Sequence, residues 1–139
     1  MPSGQTVRKA KQELREGKSP KTAAGEFVHE EIEHVRRGKH GARSPQQAIA
    51  IGLSEARRSG IPVPPPEKNA SAATKKKAER DLSKGRSKKA AAKSSSKRSK
   101  ARVQALKREP KNTASHAALS RQAKAAAKKR RNTASRKAA

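Results

Sequence analysis

Residues 39–60 read KHGARSPQQAIAIGLSEARRSG, and this stretch carries the signals of a helix with a marked start, one apolar face and a marked stop. Ser44 suits the N-cap, Pro45 the first helical position and Gln47 the third, so Ser44 and Gln47 pair as a capping box. Ile49, Gly52, Leu53 and Ala56 recur at i, i+3, i+4 and i+7, the spacing of one helical face. Gly60 can end the helix. The run IPVPPP at 61–66 then prevents it from resuming, because proline has no N–H and clashes with the preceding turn. A helix over 45–59 follows.

The preceding stretch, EFVHEEIEHVRRG at 26–38, predicts a second helix over 25–37. Val28, Ile32 and Val35 line one face with Phe27 beside them. Glu26, Glu30 and Glu31 stand early, and Arg36 and Arg37 stand just before Gly38, an order that complements the helix dipole. The short link GKHG at 38–41 implies antiparallel neighbours, a helical hairpin, with Gly52 on the inner face to let the helices approach. Further upstream, TVRKAKQELREG at 6–17 predicts a short helix over 6–16: Thr6 caps it, Val7, Ala10 and Leu14 share a face, and Gly17 stops it.

Beyond Pro66 the sequence becomes lysine, arginine, alanine and serine with few large apolar side chains. Residues 1–60 hold 12 Lys/Arg against 7 Asp/Glu, whereas 61–139 hold 25 against 4, within a total net charge of +26. A segment so charged and so poor in apolar surface is expected to stay disordered when free. The fold expected is therefore mainly α: a helical head of two to three short helices over 1–63, then a largely disordered cationic tail over 64–139 with helix-prone segments. In the tail, ARVQALKRE and SHAALSRQAKAAAKKRR are the helix-prone pieces. NTAS occurs twice, at 112–115 and 132–135, and Ser115 can cap a helix that begins at His116. The head's large apolar residues are few, which points to a homodimer through the head or to folding on a partner. Ile51, off the main stripe, is the candidate contact.

Several chemistries are excluded. Without cysteine there is no disulfide, thiolate metal site or cysteine nucleophile. HEEIEH at 29–34 superficially resembles a zinc-protease helix, but its histidines are five apart, which rotates the second ring by about 140° from the first. Glu26, Glu30 and His34 share a face, yet a metal would need ligands from another helix, so that row reads as solvated and no metal is expected. The acidic face of Glu26, Glu30, Glu31 and Glu33 reads as a solvated face, the alternative being that it folds against the basic tail when nucleic acid is absent. No nucleophile–base constellation or phosphate-loop glycine pattern stands out, so neither an enzyme nor a cofactor or small-molecule substrate is expected. No apolar run approaches the about 18 residues a membrane span needs. The first residues also lack the apolar region of a secretory signal. Location in the cytoplasm, on the nucleoid, is the expectation.

What the charge favours is a polyanion. In the head, Lys39, His40 and Arg43 surround the start of the 45–59 helix as a phosphate seat, and Arg57 and Arg58 stand at its far end. In the tail the candidates are Lys75, Lys76, Lys77, Lys88, Lys89, Lys97, Arg98, Lys100, Arg102, Lys107, Arg108, Arg121, Lys124, Lys128, Lys129, Arg130 and Arg131. With one Phe and no Tyr or Trp, base-stacking platforms are lacking, so sequence-independent binding of a duplex is favoured, DNA over RNA. Alternatives are an RNA- or ribosome-associated protein and an adaptor that binds a protein through the helical head. A membrane surface is disfavoured because the tail lacks the aromatic or leucine face of an interfacial helix.

Gln47–Ala56, QAIAIGLSEA, resembles the Gln-Ala-Ile-Ala-Ile-(Gly/Ala)-Leu-Ser-x-Ala segment of a family of small basic bacterial proteins of unknown function. The likeness includes the preceding short helix and glycine/lysine link and extends over roughly residues 20–63. It implies a small helical head and no catalytic residue. The tail is similar in composition to the lysine/alanine-rich tails of linker histones and histone-like bacterial proteins, which implies sequence-independent DNA binding.

Overall fold

The computed structural model describes residues 2–67, 70–87 and 96–138. Over these the chain forms helices α1 (Gly4–Arg15), α2 (Pro20–Arg36), α3 (Pro45–Arg58), α4 (Ala72–Arg86), α5 (Ser96–Arg108) and α6 (His116–Ala138), with a 3₁₀ turn at Asn112–Ala114. No strand occurs among the described residues.

Three of the helices start with the same local device. Ser3, Ser19 and Ser71 each accept a hydrogen bond on Oγ from the backbone N–H of the threonine three residues on, at 3.2 Å. In each pair the two hydroxyls also lie 2.9 Å apart. This moves two expected boundaries. The first helix begins at Gly4 because Ser3, not Thr6, is its cap. The second begins at Pro20, five residues before the expected start, because Ser19 caps it and Pro20 supplies the pre-set φ of a first helical residue. The third, Pro45–Arg58, agrees with the sequence to within one residue. Gly38, with φ of +72°, takes the left-handed conformation that ends α2. Its N–H bonds to Val35 O and that of Lys39 to His34 O, which satisfies two end carbonyls; Gly17 and Gly60 close α1 and α3 by the same pattern.

Helix α2 packs on both α1 and α3, and α3 is covered in turn by α4. One core cluster joins Ala10, Ala23, Ala24, Phe27, Ala56, Ile61 and Val63, with Val7, Leu14 and Leu53 packed against it. A second joins Val35, Ala42, Ala48 and Ala114, with Ile32 at its edge. Most of these residues are alanines, so the core is built on close backbone approach and not on bulk. Gly52 is the tightest point of the α2–α3 contact: a Cβ placed there would meet Val28 Cα at 2.7 Å and Val28 N at 2.9 Å. Ile51 is half-buried, and Val103 is the one large hydrophobic that stands strongly exposed among the described residues.

The expectation of a largely disordered tail is overturned for the described part of 64–139, which contains α4, α5 and α6. Average composition hides the few anchors that hold these helices. On α4, Ala78 and Asp81 are buried against α3, where Ser54 Oγ donates to Asp81 Oδ2 at 2.9 Å and Arg58 Nε lies 3.5 Å from Oδ1. Farther on, Ala114 enters the second core cluster, Arg36 Nε donates to Ala114 O at 2.9 Å and Thr113 Oγ1 donates to Ala42 O at 2.8 Å. The link adds two backbone bonds, Gly41 N–H to Leu106 O and Ala42 N–H to Pro110 O. The alanine, lysine and arginine content of the remaining turns suits a helix once its ends are held.

The Gly52→Ala variant tests the close approach. Its methyl group meets main-chain atoms that no rotamer change can move, so α2 and α3 must separate, at an expected cost of about 1–3 kcal/mol. Gly25→Ala is the counterpart: Gly25 is an exposed helical glycine with nothing within 4 Å of a new Cβ. It is expected to stabilise by up to about 1 kcal/mol. Thermal melting of both variants should therefore move Tm in opposite directions.

Candidate nucleic-acid interface

Several backbone donors around the start of α3 are taken by the chain itself. Ser44 Oγ accepts from Gln47 N–H at 3.2 Å, as the capping box requires, while Gln47 Oε1 accepts from Arg43 N–H at 2.6 Å, one residue before the expected donor. The Gly41 and Ala42 amides are likewise bonded, to Leu106 O and Pro110 O. Of the three side chains placed there by the sequence, Lys39 and Arg43 are exposed, but His40 turns inward to Glu31. Arg57 also faces inward. It is 8% exposed, and its guanidinium donates from Nε to Val63 O and from Nη2 to Pro64 O, which holds the proline segment on α3. Arg58 is exposed; its Nε donates to Ser54 O at 3.4 Å and lies 3.5 Å from Asp81 Oδ1. The head therefore does not bring its basic residues together as one site.

The helices that follow differ. Lys76 and Lys77 on α4 are exposed and Lys75 is half-buried. Lys88 and Lys89 lie outside the described residues. On α5, Lys97, Arg98, Lys100, Arg102, Lys107 and Arg108 are all exposed, and α5 buries no residue. On α6, Arg121, Lys124, Lys128, Lys129, Arg130 and Arg131 are exposed, and the half-buried positions are Ala118, Leu119, Gln122, Ala126 and Ala127. Gln46 of α3 donates to Gln122 and fixes the near half of α6. Arg121, Lys124, Lys128 and Arg131 succeed one another at intervals of three and four residues. At about 100° per residue Lys124, Lys128 and Arg131 fall on one exposed strip of α6, while Arg121 borders the cavity lined by Pro45, Gln46 and Thr113. Neither α5 nor α6 contains an acidic residue. Among the described residues no carboxylate is paired with any of their cations.

Ser115 caps α6 as expected, its Oγ accepting from Ala118 N–H at 3.2 Å. The two NTAS copies nonetheless differ in structure. The first forms the 3₁₀ turn and the cap, whereas the second lies inside α6, with Thr133 Oγ1 donating to Lys129 O.

The acidic face of α2 is not turned to the tail. Glu26 pairs with Lys9 at 2.9 Å, Glu33 pairs with Arg36 at 3.0 Å, and both carboxylate oxygens of Glu30 accept from Ser3 N–H. The face is neither simply solvated nor closed on the basic segment: nearer groups of α1 and α2 occupy the carboxylates of Glu26, Glu30 and Glu33. Burial alone would push the Glu30 carboxyl up, but hydrogen bonds from Thr6 and Ser3 and the nearby His34 bring it below its ordinary range. Glu31 is 2% exposed, and burial raises its pKa against the pull of His40, with Glu55 adding to the rise. Burial first, then the charges of Lys39 and His40, lowers that of His34. Glu31, His34 and His40 thus form a cluster that spacing within α2 does not reveal, because the turn at Gly38 carries His40 back over α2.

In class, the chain is an all-helical basic protein over its described residues. Residues 2–69 match the model of a family described as "Family of unknown function (DUF6496)". The match takes in α1, α2, α3 and the proline segment, and stops before α4. It is consistent with the resemblance to an uncharacterised family and assigns no activity. No curated protein and no solved structure matches the chain. No helix among the described residues is long and apolar enough to cross a membrane.

Ala114→Arg tests whether the root of α6 depends on the second core cluster. A charged side chain cannot fit among Val35, Ala42 and Ala48 without opening the contact, so the amides of Gly41 and Ala42 should lose hydrogen-exchange protection. The amides inside α1 should keep theirs, and the loss of stability is expected to be about 1–3 kcal/mol.

Proposed function

We propose that this protein binds double-stranded nucleic acid, DNA in preference to RNA, without base specificity and without catalysis, through the exposed cationic faces of α5 and α6. The observation that supports the reading is the exposed strip of Lys124, Lys128 and Arg131 on α6, a helix without an acidic residue, with no carboxylate paired to it among the described residues. A duplex carries one negative charge for every ~1.7 Å of its axis, so cations on successive turns of an exposed helix each find a phosphate and release its counterions. Base reading by stacking is disfavoured, because the single Phe, Tyr or Trp ring of the chain is Phe27, which is fully buried. In this reading α1, α2 and α3 are the platform, and the segment from Pro110 to Ser115 attaches the binding helices to it.

Salt dependence is the test. With 6–10 phosphates neutralised, affinity for a short duplex should fall by about 10³–10⁵ between 50 and 200 mM salt. The triple variant K124Q/K128Q/R131Q keeps good helix formers and removes three charges, so the slope of log K against log salt should become shallower by about 2–3. Equal slopes for the triple variant and the wild type would refute the role of α6. In competition, duplex DNA should bind at least as tightly as duplex RNA; a clear preference for RNA would transfer the reading to an RNA-associated protein.

A further inference from the structure

We propose that Glu31, His34 and His40 form a binding site for one divalent transition-metal ion of the zinc class, a property independent of the nucleic-acid reading. The three side chains offer one carboxylate and two imidazole ligand atoms, all within 4.8 Å of one another. His34 Nδ1 lies 3.6 Å from Glu31 Oε2, and His40 Nε2 lies 3.4 Å from Glu31 Oε1. Two donors about 2.0 Å from a tetrahedral ion stand about 3.3 Å apart, so both edges are close to those of a coordination shell. Because the edges run to different oxygens, the carboxylate either pivots or binds through both.

The hydrogen bonding around the cluster turns one nitrogen of His40 toward Glu31. His40 Nδ1 lies 3.0 Å from Gly41 O, and a carbonyl only accepts, so Nδ1–H donates there and Nε2 is the nitrogen that faces Glu31. Glu31 Oε1 is buried and has no hydrogen-bond partner. The 3.4 Å contact from His40 Nε2 does not meet hydrogen-bond geometry. A buried carboxylate oxygen without a hydrogen-bond partner, set beside an imidazole nitrogen, is an arrangement that a cation can bridge.

The surroundings also match those of metal-binding histidines. Such histidines usually give their second ring nitrogen to a carbonyl or a carboxylate, which fixes the tautomer and strengthens the ligand. Here His40 has the Gly41 carbonyl, and His34 Nε2 lies 3.7 Å from Glu30 Oε1. Glu30 is itself held by Ser3 N–H at the start of α1. Each ring keeps under a fifth of its side-chain surface exposed, enough for an ion to enter and for water to take the fourth position. Imidazole donors select Zn²⁺, Co²⁺ or Ni²⁺ over Mg²⁺ and Ca²⁺, which prefer all-oxygen shells. Since His40 precedes Gly41 and Ala42, whose amides bond to Leu106 and Pro110, a bound ion would tie α2 to the segment that holds α5 and α6.

The full-length protein, stripped with chelator, is titrated with Co²⁺ in the presence of excess Mg²⁺. The expected result is one ion per chain with visible ligand-field bands, displaced by Zn²⁺, and a rise in Tm that grows with free Zn²⁺ as binding to the folded state requires. His34→Gln and His40→Gln should each abolish the bands, and Glu30→Gln should weaken binding by about 10–100-fold through its effect on His34. His29→Gln, at an exposed ring on another face of α2, should leave the titration unchanged. Circular dichroism without metal establishes that each variant is folded; His40, on the link, is the variant that leaves helix α2 intact. A titration without bands or Tm change overturns the site. So does stoichiometric binding that survives both His34→Gln and His40→Gln, which would assign the ion to surface histidines.

Discussion

The contact of Gly52 with the backbone of Val28 is the constraint on which the rest of the fold depends. It brings α2 and α3 closer than any side chain would allow, and this spacing is what makes alanines sufficient to fill the interior. At wider separation, Ala23, Ala24, Ala48 and Ala56 would leave voids, and the few large residues, Phe27 and Ile61 above all, could not close them. The same economy extends outward. Small residues at Ala78 and Ala114 let α4 and the 3₁₀ turn settle against α3 and α2 without a large apolar face of their own.

Much of the head was legible because its helix ends are written in local chemistry. Ser44, Pro45 and Gly60 bound α3, and Gly38 ends α2, at the positions their side chains and φ preferences imply. The same grammar at Ser3 and at Ser19–Pro20 was available in the sequence, but apolar periodicity drew the starts inward to Thr6 and Gly25. The helices after Pro66 were hidden for a different reason. An apolar-poor segment reads as unable to fold, yet α4 docks through Ala78, Asp81 and the close approach of Gly85 to Arg57 O, and three residues do not alter a composition. NTAS shows the limit of local reading: identical tetrapeptides form a 3₁₀ turn at 112–115 and an α-helix at 132–135. Only the first can place its alanine between Val35 and Ala48.

Charge shows a similar division. Basic residues of the head were readable as cations but not as structural donors: Arg57 and Arg36 give their guanidinium groups to main-chain carbonyls. The cluster of Glu31, His34 and His40 escaped the sequence because one of its members comes from the link, and no spacing within α2 could bring it there. By contrast the surplus on α5 and α6 was visible in the bare count, since no acidic residue is present there to absorb it.

The short connection from Arg108 to His116 also has a kinetic meaning. Leu106 and Pro110 are bonded to adjacent residues of the link, and Ser115 caps the next helix, so α5 ends and α6 begins at one fixed base. Under the proposed function, two cationic arms that share a base act as a bivalent ligand. When one arm leaves a duplex, the other keeps it at high local concentration, so rebinding outruns escape and residence time exceeds what either helix would achieve alone.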